Sequence, residues 1–257
     1  MLRDPAHPAP ADLSAASTDV PLQLGSPRKL ELPVGSFEVK TTSTGELRSF
    51  ARLNPFDHGC DDHARRTRWL TERLCISSGM TPSRARLIAN AAQIHDIGKG
   101  FMPNQILEKP GALSAAERAT IQRHAKLGAQ YLRTLGQLFD VELHLHISIA
   151  HSHHERWDGL GYPCGLAGAS IPFPARITAV ADVFDALASE RSYKRAWPLE
   201  DVFAYIESEA DRHFDPQCVR ALLRCAHDIR RHWASASEVC ADSGEPDWVT
   251  LLPVLGT

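Results

Sequence analysis

Strong charge of one sign is missing from this 257-residue chain, in which 28 Lys and Arg residues face 31 Asp and Glu residues. Nothing in a net charge of -3 predicts non-specific binding of a nucleic acid polymer, so we expect an anionic ligand to be held locally. The six cysteines form no C-x-x-C pair, and a chain of this length needs no disulfides, which predicts a reduced, cytoplasmic protein. No run approaches the roughly 18 apolar residues of a membrane helix, and the first thirty residues lack the apolar segment of a signal peptide. We therefore expect no membrane partner.

The apolar content of 43% is enough for one domain with extensions. Residues 1–50 are predicted to be an N-terminal extension, and its proline-rich start favours disorder. Alternation between residues 30 and 53 permits a short hairpin, so a disordered and a partly β extension both stay open. Residues 51–235 form the predicted domain. Residues 236–257 form a C-terminal tail that can dock on the domain or on a second subunit, which leaves a homodimer as one alternative.

Apolar residues at helical spacing predict an all-α fold, a helical bundle, for the domain. A first helix places His63 on its buried face and ends near Gly79. A second helix opens at Thr81–Pro82, where threonine caps the helix and proline fits its first position. This helix is expected to deliver His95 and Asp96 at its C-terminal end.

Three further helices are expected to bring histidines and a carboxylate to the same region. Ser114 and Glu117 form a capping-box signature for a helix that carries His124. A fourth helix, from about residue 141 to 155, ends in a pair of adjacent histidines, and a fifth, from about 174 to 190, carries Asp182. Two more helices open at prolines 198 and 216.

Seven side chains can point into such a bundle as metal ligands. Imidazole and carboxylate groups suit first-row divalent metals, and burying this many polar groups without a metal would leave them in need of partners. The seven are His63, His95, Asp96, His124, His153, His154 and Asp182. Two ions about 3.5 to 4 Å apart would use them fully if Asp96 bridged the ions, and a bridging hydroxide could then attack a phosphoester.

Three cationic side chains are candidates for binding phosphate. Lys99 follows His95 by four residues and can donate a proton or contact phosphate, whereas a solvated lysine is the alternative. Arg191 and Lys194 can hold phosphodiester oxygens, although ordinary surface charge explains them equally. Asp185, one turn after Asp182, suits either a partner of a metal-bound histidine or a surface carboxylate.

Residues 55–225 closely resemble the HD-GYP family, a branch of the HD superfamily whose members hydrolyse cyclic di-GMP. The motifs that carry the resemblance are HDIGK (95–99), RHAKLG (123–128), HHERWDGLGYP (153–163), AVADVFDA (179–186) and ERSYKRA (190–196). The resemblance implies an HD-type bundle and a cyclic di-GMP phosphodiesterase that yields pGpG and GMP with iron or manganese. It also implies the same seven metal ligands, catalysis by Asp96 with assistance from Lys99, and phosphate contacts from Arg191 and Lys194.

The resemblance further implies a partner surface, for example towards GGDEF-type cyclases, at Gly161, Tyr162 and Pro163. Some relatives bind a third metal through a Glu four residues before the first histidine; Gly59 stands there, so we predict two metals. Two alternatives stay open. The first is a non-catalytic module that binds a cyclic dinucleotide, and the second is a hydrolase of another cyclic dinucleotide.

Overall fold

A computed structural model describes residues 28–32, 35–41, 47–52, 60–140, 142–190 and 195–239. Three antiparallel strands lie near the start of this part, in the order β1 (Arg28–Leu32), β2 (Gly35–Thr41) and β3 (Leu47–Arg52). Leu30 is opposite Phe37, and Val39 is opposite Phe50. The alternation that permits a hairpin therefore forms a three-stranded sheet. The disorder predicted for the first residues, and most of the predicted tail, lie outside the described residues.

Everything after this sheet in the described residues is helical or irregular. The helices are α1 (Cys60–Ser77), α2 (Pro82–Ala92), α3 (Asn104–Leu107), α4 (Ala115–Phe139), α5 (His144–Ser152), α6 (Phe173–Ala188), α7 (Leu199–Ser208), α8 (Pro216–Arg224) and α9 (Ala226–Val239). The short α3 and the terminal α9 are additions to the helices that the sequence predicts. No described helix has both the length and the apolar character that a bilayer span requires.

Capping explains where several helices begin. The Thr81 side chain accepts a hydrogen bond from the backbone at the start of α2. At the start of α4, Glu117 N–H donates to Ser114 Oγ at 3.3 Å, and Ser114 N–H donates to the Glu117 carboxylate at 2.7 Å. This reciprocal pair is the predicted capping box. At the start of α8 the Asp215 side chain accepts a hydrogen bond from Gln217 N–H at 2.7 Å, with Pro216 in the first helical position.

Two helices end earlier than predicted, and both ends lie beside the histidines of interest. α2 stops at Ala92, because the next turns tighten: His95 N–H donates to Ala92 O at 3.1 Å, three residues back. A 3₁₀ turn then follows at Ile97–Phe101. α5 stops at Ser152, so His153 lies at its cap. Both histidine-bearing motifs therefore lie in turns and not within helices.

The main core lies among α1, α2, α6, α7, α8 and α9. Its largest fully buried side chains include Leu70, Leu74, Ile177, Phe184, Ile206, Leu222 and Ile229. A smaller cluster joins α4 and α5 through Leu132, Leu135 and Ala150. The turn after α2 approaches α4 closely, since a Cβ atom on Gly98 would lie 2.7 Å from Gly128 N. This approach brings the motif at 95–99 against the helix that carries His124.

Candidate metal centre

All seven predicted ligands lie at one place in the bundle. His63 comes from α1, His124 from α4 and Asp182 from α6. The other four come from the turns that follow α2 and α5: His95, Asp96, His153 and His154. His95, His124 and His153 are almost fully buried. The expectation that each ligand projects from a helix is therefore wrong for these four, because their helices end before them.

Asp96 lies between two groups of histidines. Its Oδ1 is 3.2 Å from His124 Nε2 and 3.7 Å from His153 Nε2, while its Oδ2 is 3.3 Å from His95 Nε2. Potential ligand atoms of Asp96, His124, His153 and His154 all lie within 4.8 Å of one another, and those of His63, His95 and Asp96 form a second such group. One carboxylate with an oxygen towards each group is the geometry that a bridging ligand needs.

Asp182 adds a second carboxylate on the side of His63 and His95. Its Oδ1 lies 3.4 Å from His63 Nε2 and 3.7 Å from His95 Nε2. The rings of His63 and His95 meet edge to face, with centroids 5.3 Å apart. His63, His95 and Asp182 therefore surround one half of the centre, and Asp96 separates it from the half formed by His124, His153 and His154.

Backbone carbonyls fix the tautomers of three histidines. The Nδ1 atoms of His95, His124 and His153 lie 2.8, 2.7 and 3.0 Å from carbonyl oxygens of Ala92, Ile121 and Ile149. A carbonyl only accepts, so each Nδ1 carries a proton, and each ring in its neutral form presents an Nε2 lone pair to the centre. These Nε2 atoms face carboxylate oxygens at 3.2 to 3.7 Å, an arrangement in which either a metal ion or a proton on Nε2 must lie between the two groups. His95 Nε2 and Asp96 Oδ1 are indeed buried without a hydrogen bond in the described structure. The donor set therefore fits divalent metal ions.

The electrostatics of the centre separate the groups that are ready to bind a metal from His95, which has to lose a proton first. Burial alone lowers the pKa of His95, but Asp96 and Asp182 outweigh it and raise that pKa to about 10. Burial raises the pKa of Asp96, but Lys99 and His95 hold it well below its ordinary value. Burial together with the neighbouring His153 lowers the pKa of His154 well below its ordinary value. The centre thus keeps its carboxylates ionised and His154 neutral, which are the forms that bind metals.

Asp185 is a buried partner of His63 and not a surface carboxylate. Its Oδ2 lies 2.7 Å from His63 Nδ1, and Arg66 donates to both of its oxygens. Ser189 Oγ donates to the same carboxylate at 3.1 Å. A carboxylate at Nδ1 directs the other ring nitrogen towards a metal. The spacing of Asp182 and Asp185 indicated this role as one alternative, whereas nothing in the sequence identified Arg66.

The structure describes only one of the three side chains that are predicted to bind phosphate. Lys99 forms an ion pair with Asp96, so its ammonium lies at the centre, and 39% of its side chain is exposed. Arg191 and Lys194 lie outside the described residues, and their phosphate contacts stay predictions. Of the other histidines near the pair, His146 is mostly buried, and burial lowers its pKa to about 4. His144 and His146 belong to neither ligand group.

The loop that contains Gly161, Tyr162 and Pro163 packs beside the centre. The ring of Tyr162 stacks on His154 with centroids 4.7 Å apart, and its N–H donates to His154 O at 3.2 Å. Glu155 is almost fully buried and accepts backbone hydrogen bonds from the end of this loop. The sequence predicted a partner surface here and did not identify the contact with His154. This contact could have been predicted from the sequence, since the loop directly follows His153 and His154 in the chain.

Comparison with known proteins supports the fold and the family. A family model described as HD domain matches residues 54–218. The 3'3'-cGAMP-specific phosphodiesterase 2 of Vibrio cholerae is 42% identical over 172 residues, which cover 66% of this chain and 31% of the relative. The cyclic di-GMP phosphodiesterase response regulator RpfG of Xanthomonas campestris is 46% identical over 57% of this chain and 38% of the relative.

Two further matches support the same family and fold. The cyclic di-GMP phosphodiesterase of Thermotoga maritima is 41% identical over 65% of this chain and 45% of the relative. The match thus spans less than half the length of these three curated relatives. The solved structure of Bd1817, a HDG"Y"P protein from Bdellovibrio bacteriovorus, has a TM-score of 0.54 and 22% identity, covering 70% of this chain and 55% of that chain. This likeness confirms the predicted all-α HD-type bundle. As the HD-GYP resemblance predicts, the chain belongs to the HD domain family.

Proposed function

We propose that this chain is a metal-dependent phosphodiesterase that hydrolyses cyclic di-GMP to pGpG and then to GMP. The observation that carries the proposal is the position of Asp96, whose two oxygens face two separate groups of histidines. A centre of this kind suits in-line attack of water on a phosphodiester and needs no covalent nucleophile. Two divalent ions, iron or manganese, and a cytoplasmic location are parts of the proposal.

Each side chain has a separate task in this proposal. Two divalent ions would lower the pKa of a coordinated water and polarise the phosphodiester. Asp96 would hold both ions, with His63, His95 and Asp182 on one side and His124, His153 and His154 on the other. Lys99 would contact a phosphate oxygen and stabilise the leaving alkoxide, because its ammonium lies beside Asp96 and its side chain is partly exposed. Arg191 and Lys194 would hold the remaining phosphate oxygens.

The names of the relatives support the proposed substrate. Two of the relatives above are named cyclic di-GMP phosphodiesterases, and both are more than 40% identical to this chain. A second candidate substrate is 3'3'-cGAMP, because the first relative above is named as specific for that nucleotide. The two substrates share the phosphodiester ring and differ in one base, so the metal centre treats them alike. The difference must come from side chains that contact the bases.

The test is hydrolysis by protein loaded with Mn²⁺ to two ions per chain. We expect linear pGpG and then GMP from cyclic di-GMP, and a competing excess of 3'3'-cGAMP measures the preference between the two. No linear product from either nucleotide, with two ions bound, would refute the phosphodiesterase. Tight binding of cyclic di-GMP without turnover would instead support the non-catalytic module, which the complete ligand set disfavours. Asp96→Asn should abolish turnover, while exposed Asp201→Asn should leave it unchanged.

A partner surface for a GGDEF-type protein remains part of the proposal in a narrower form. Leu160, at the tip of the loop, is 80% exposed, whereas Tyr162 lies against His154. An apolar side chain this exposed is available to a partner, and Leu160→Asp should weaken such binding without changing hydrolysis. A pull-down with a purified GGDEF domain measures the first effect. The homodimer stays a prediction that light scattering would test.

A further inference from the structure

We propose that Glu155 is a positioning residue that holds the loop of residues 156–166 onto the histidine pair and thereby fixes the ring of His154 for metal binding. The inference rests on the proposed metal centre but not on the identity of the substrate. The hydrogen bonds of the Glu155 carboxylate go to the backbone of this loop, so it acts through the loop and through Tyr162.

The first observation is how the carboxylate of Glu155 is used. The residue is 2% exposed, and each of its oxygens accepts one backbone hydrogen bond. Cys164 N–H donates at 2.7 Å and Leu166 N–H donates at 3.0 Å. These donors lie nine and eleven residues further along the chain, so one buried carboxylate closes the whole loop. Hydrogen bonds to an ionised acceptor are roughly twice as strong as neutral ones.

The second observation is that the closed loop presses on the histidine pair. A Cβ atom on Gly161 would lie 2.5 Å from Glu155 Cα and 2.6 Å from His154 O, so only glycine allows this approach. The next residue, Tyr162, then stacks on the His154 imidazole at 27° between the ring planes. The loop therefore delivers one aromatic ring to one metal-site imidazole.

The third observation is that His154 differs from its neighbours. His95, His124 and His153 are each oriented by a backbone carbonyl at Nδ1. Among the described residues, the His154 ring has no comparable hydrogen bond. The ring contacts those of His153, at 4.0 Å, Tyr162, at 4.7 Å, and His124, at 5.0 Å. Its orientation therefore depends on packing, and Tyr162 is the part of that packing that the loop supplies.

The start of the loop is anchored separately. Trp157 N–H donates to His213 O at 3.0 Å, and Asp158 N–H donates to Arg212 O at 2.8 Å. Loss of the Glu155 carboxylate would therefore release the second half of the loop, which contains Tyr162, and leave its first half in place. This separation makes a folded variant with a misplaced His154 the expected result.

Glu155→Gln is the first test, because it keeps the shape and replaces one acceptor oxygen with a donor that faces a backbone N–H. We expect faster hydrogen exchange at the amides of residues 164 and 166, and Mn²⁺ affinity lowered roughly tenfold. The matched control is Glu117→Gln, which alters a carboxylate that also accepts a backbone hydrogen bond, at the start of α4. It should leave both quantities unchanged. Thermal melting with metal chelated verifies that both variants are folded.

Tyr162 variants test the second step. Tyr162→Ala should weaken Mn²⁺ binding as much as Glu155→Gln does, whereas Tyr162→Phe keeps the ring and should bind like wild type. The double variant Glu155→Gln with Tyr162→Ala should bind Mn²⁺ no more weakly than either single variant, because both changes act on His154 through one path. Fully additive losses, or wild-type Mn²⁺ affinity despite faster exchange, would overturn the proposal. Wild-type protein that binds two Mn²⁺ but leaves both nucleotides intact would refute the phosphodiesterase and leave this test valid.

Discussion

Replacing Asp185 with asparagine tests how the bundle supports the predicted metal ligand His63. The carboxylate is completely buried and is the shared acceptor of His63, Arg66 and Ser189. Asparagine keeps the size and one acceptor oxygen but removes the negative charge that balances Arg66. The change therefore affects both the folding free energy and the orientation of His63.

The expected loss of stability follows from the exposure of the Asp185–Arg66 ion pair. Removing one partner of a fully buried ion pair costs about 3 to 5 kcal/mol. The Arg66 side chain is 28% exposed, so water can solvate its guanidinium once the carboxylate is gone. We therefore expect the free energy of unfolding to fall by about 2 kcal/mol, below the range for a fully buried pair. Urea unfolding of metal-free Asp185→Asn measures this difference.

The second expected effect of Asp185→Asn is on the affinity for metal. An asparagine at this position binds the His63 Nδ1–H less strongly, and the loss of such a supporting group lowers metal affinity by about 10-fold to 100-fold. Titration with Mn²⁺ measures it, and exposed Asp201→Asn serves as the control for a changed charge. If Asp185→Asn had the urea midpoint and the Mn²⁺ affinity of the wild type, the supporting role of Asp185 for His63 would be refuted.

Three further predictions concern protons, thiols and packing. Binding of Mn²⁺ at pH 7.5 should release protons, because the metal-free His95 has a pKa of about 10 and is protonated there; calorimetry in two buffers that finds no release would contradict this. Iodoacetamide at pH 8 should modify exposed Cys164 before Cys75, because burial raises the pKa of the Cys75 thiol to about 12; peptide mapping with equal rates would contradict this. Gly98→Ala should lower the free energy of unfolding by about 1 to 3 kcal/mol, because its Cβ would collide with His124 O; an unchanged melting curve would refute it.

The sequence predicted the parts of the fold that depend on local chemistry. Thr81 and Ser114 begin their helices as expected, because an N-cap acts within three residues of chain. The ends of α2 and α5 were placed too late, since the tightening that ends them depends on contacts with other elements. α9 follows α8 after one residue and buries Ile229. No capping residue or proline indicates the start of this helix in the sequence.

The residues that meet at the candidate centre could be predicted because the motifs are short and their spacing is specific, whereas their supporting residues could not. The contact of Asp185 with Arg66 joins α6 to α1 and spans 119 residues of sequence. The role of Glu155 depends on the path of a loop, which spacing does not encode. Such long-range contacts are set by tertiary packing. They become visible only when the helices are placed in space.

Anomalous scattering from crystals grown with Mn²⁺ tests the central claim most directly, because it gives the number of ions and their ligands together. We expect two peaks, one beside His124, His153 and His154 and the other beside His63 and His95, with Asp96 touching both. A single peak, or two peaks of which only one contacts Asp96, would contradict the shared carboxylate on which the proposed chemistry depends.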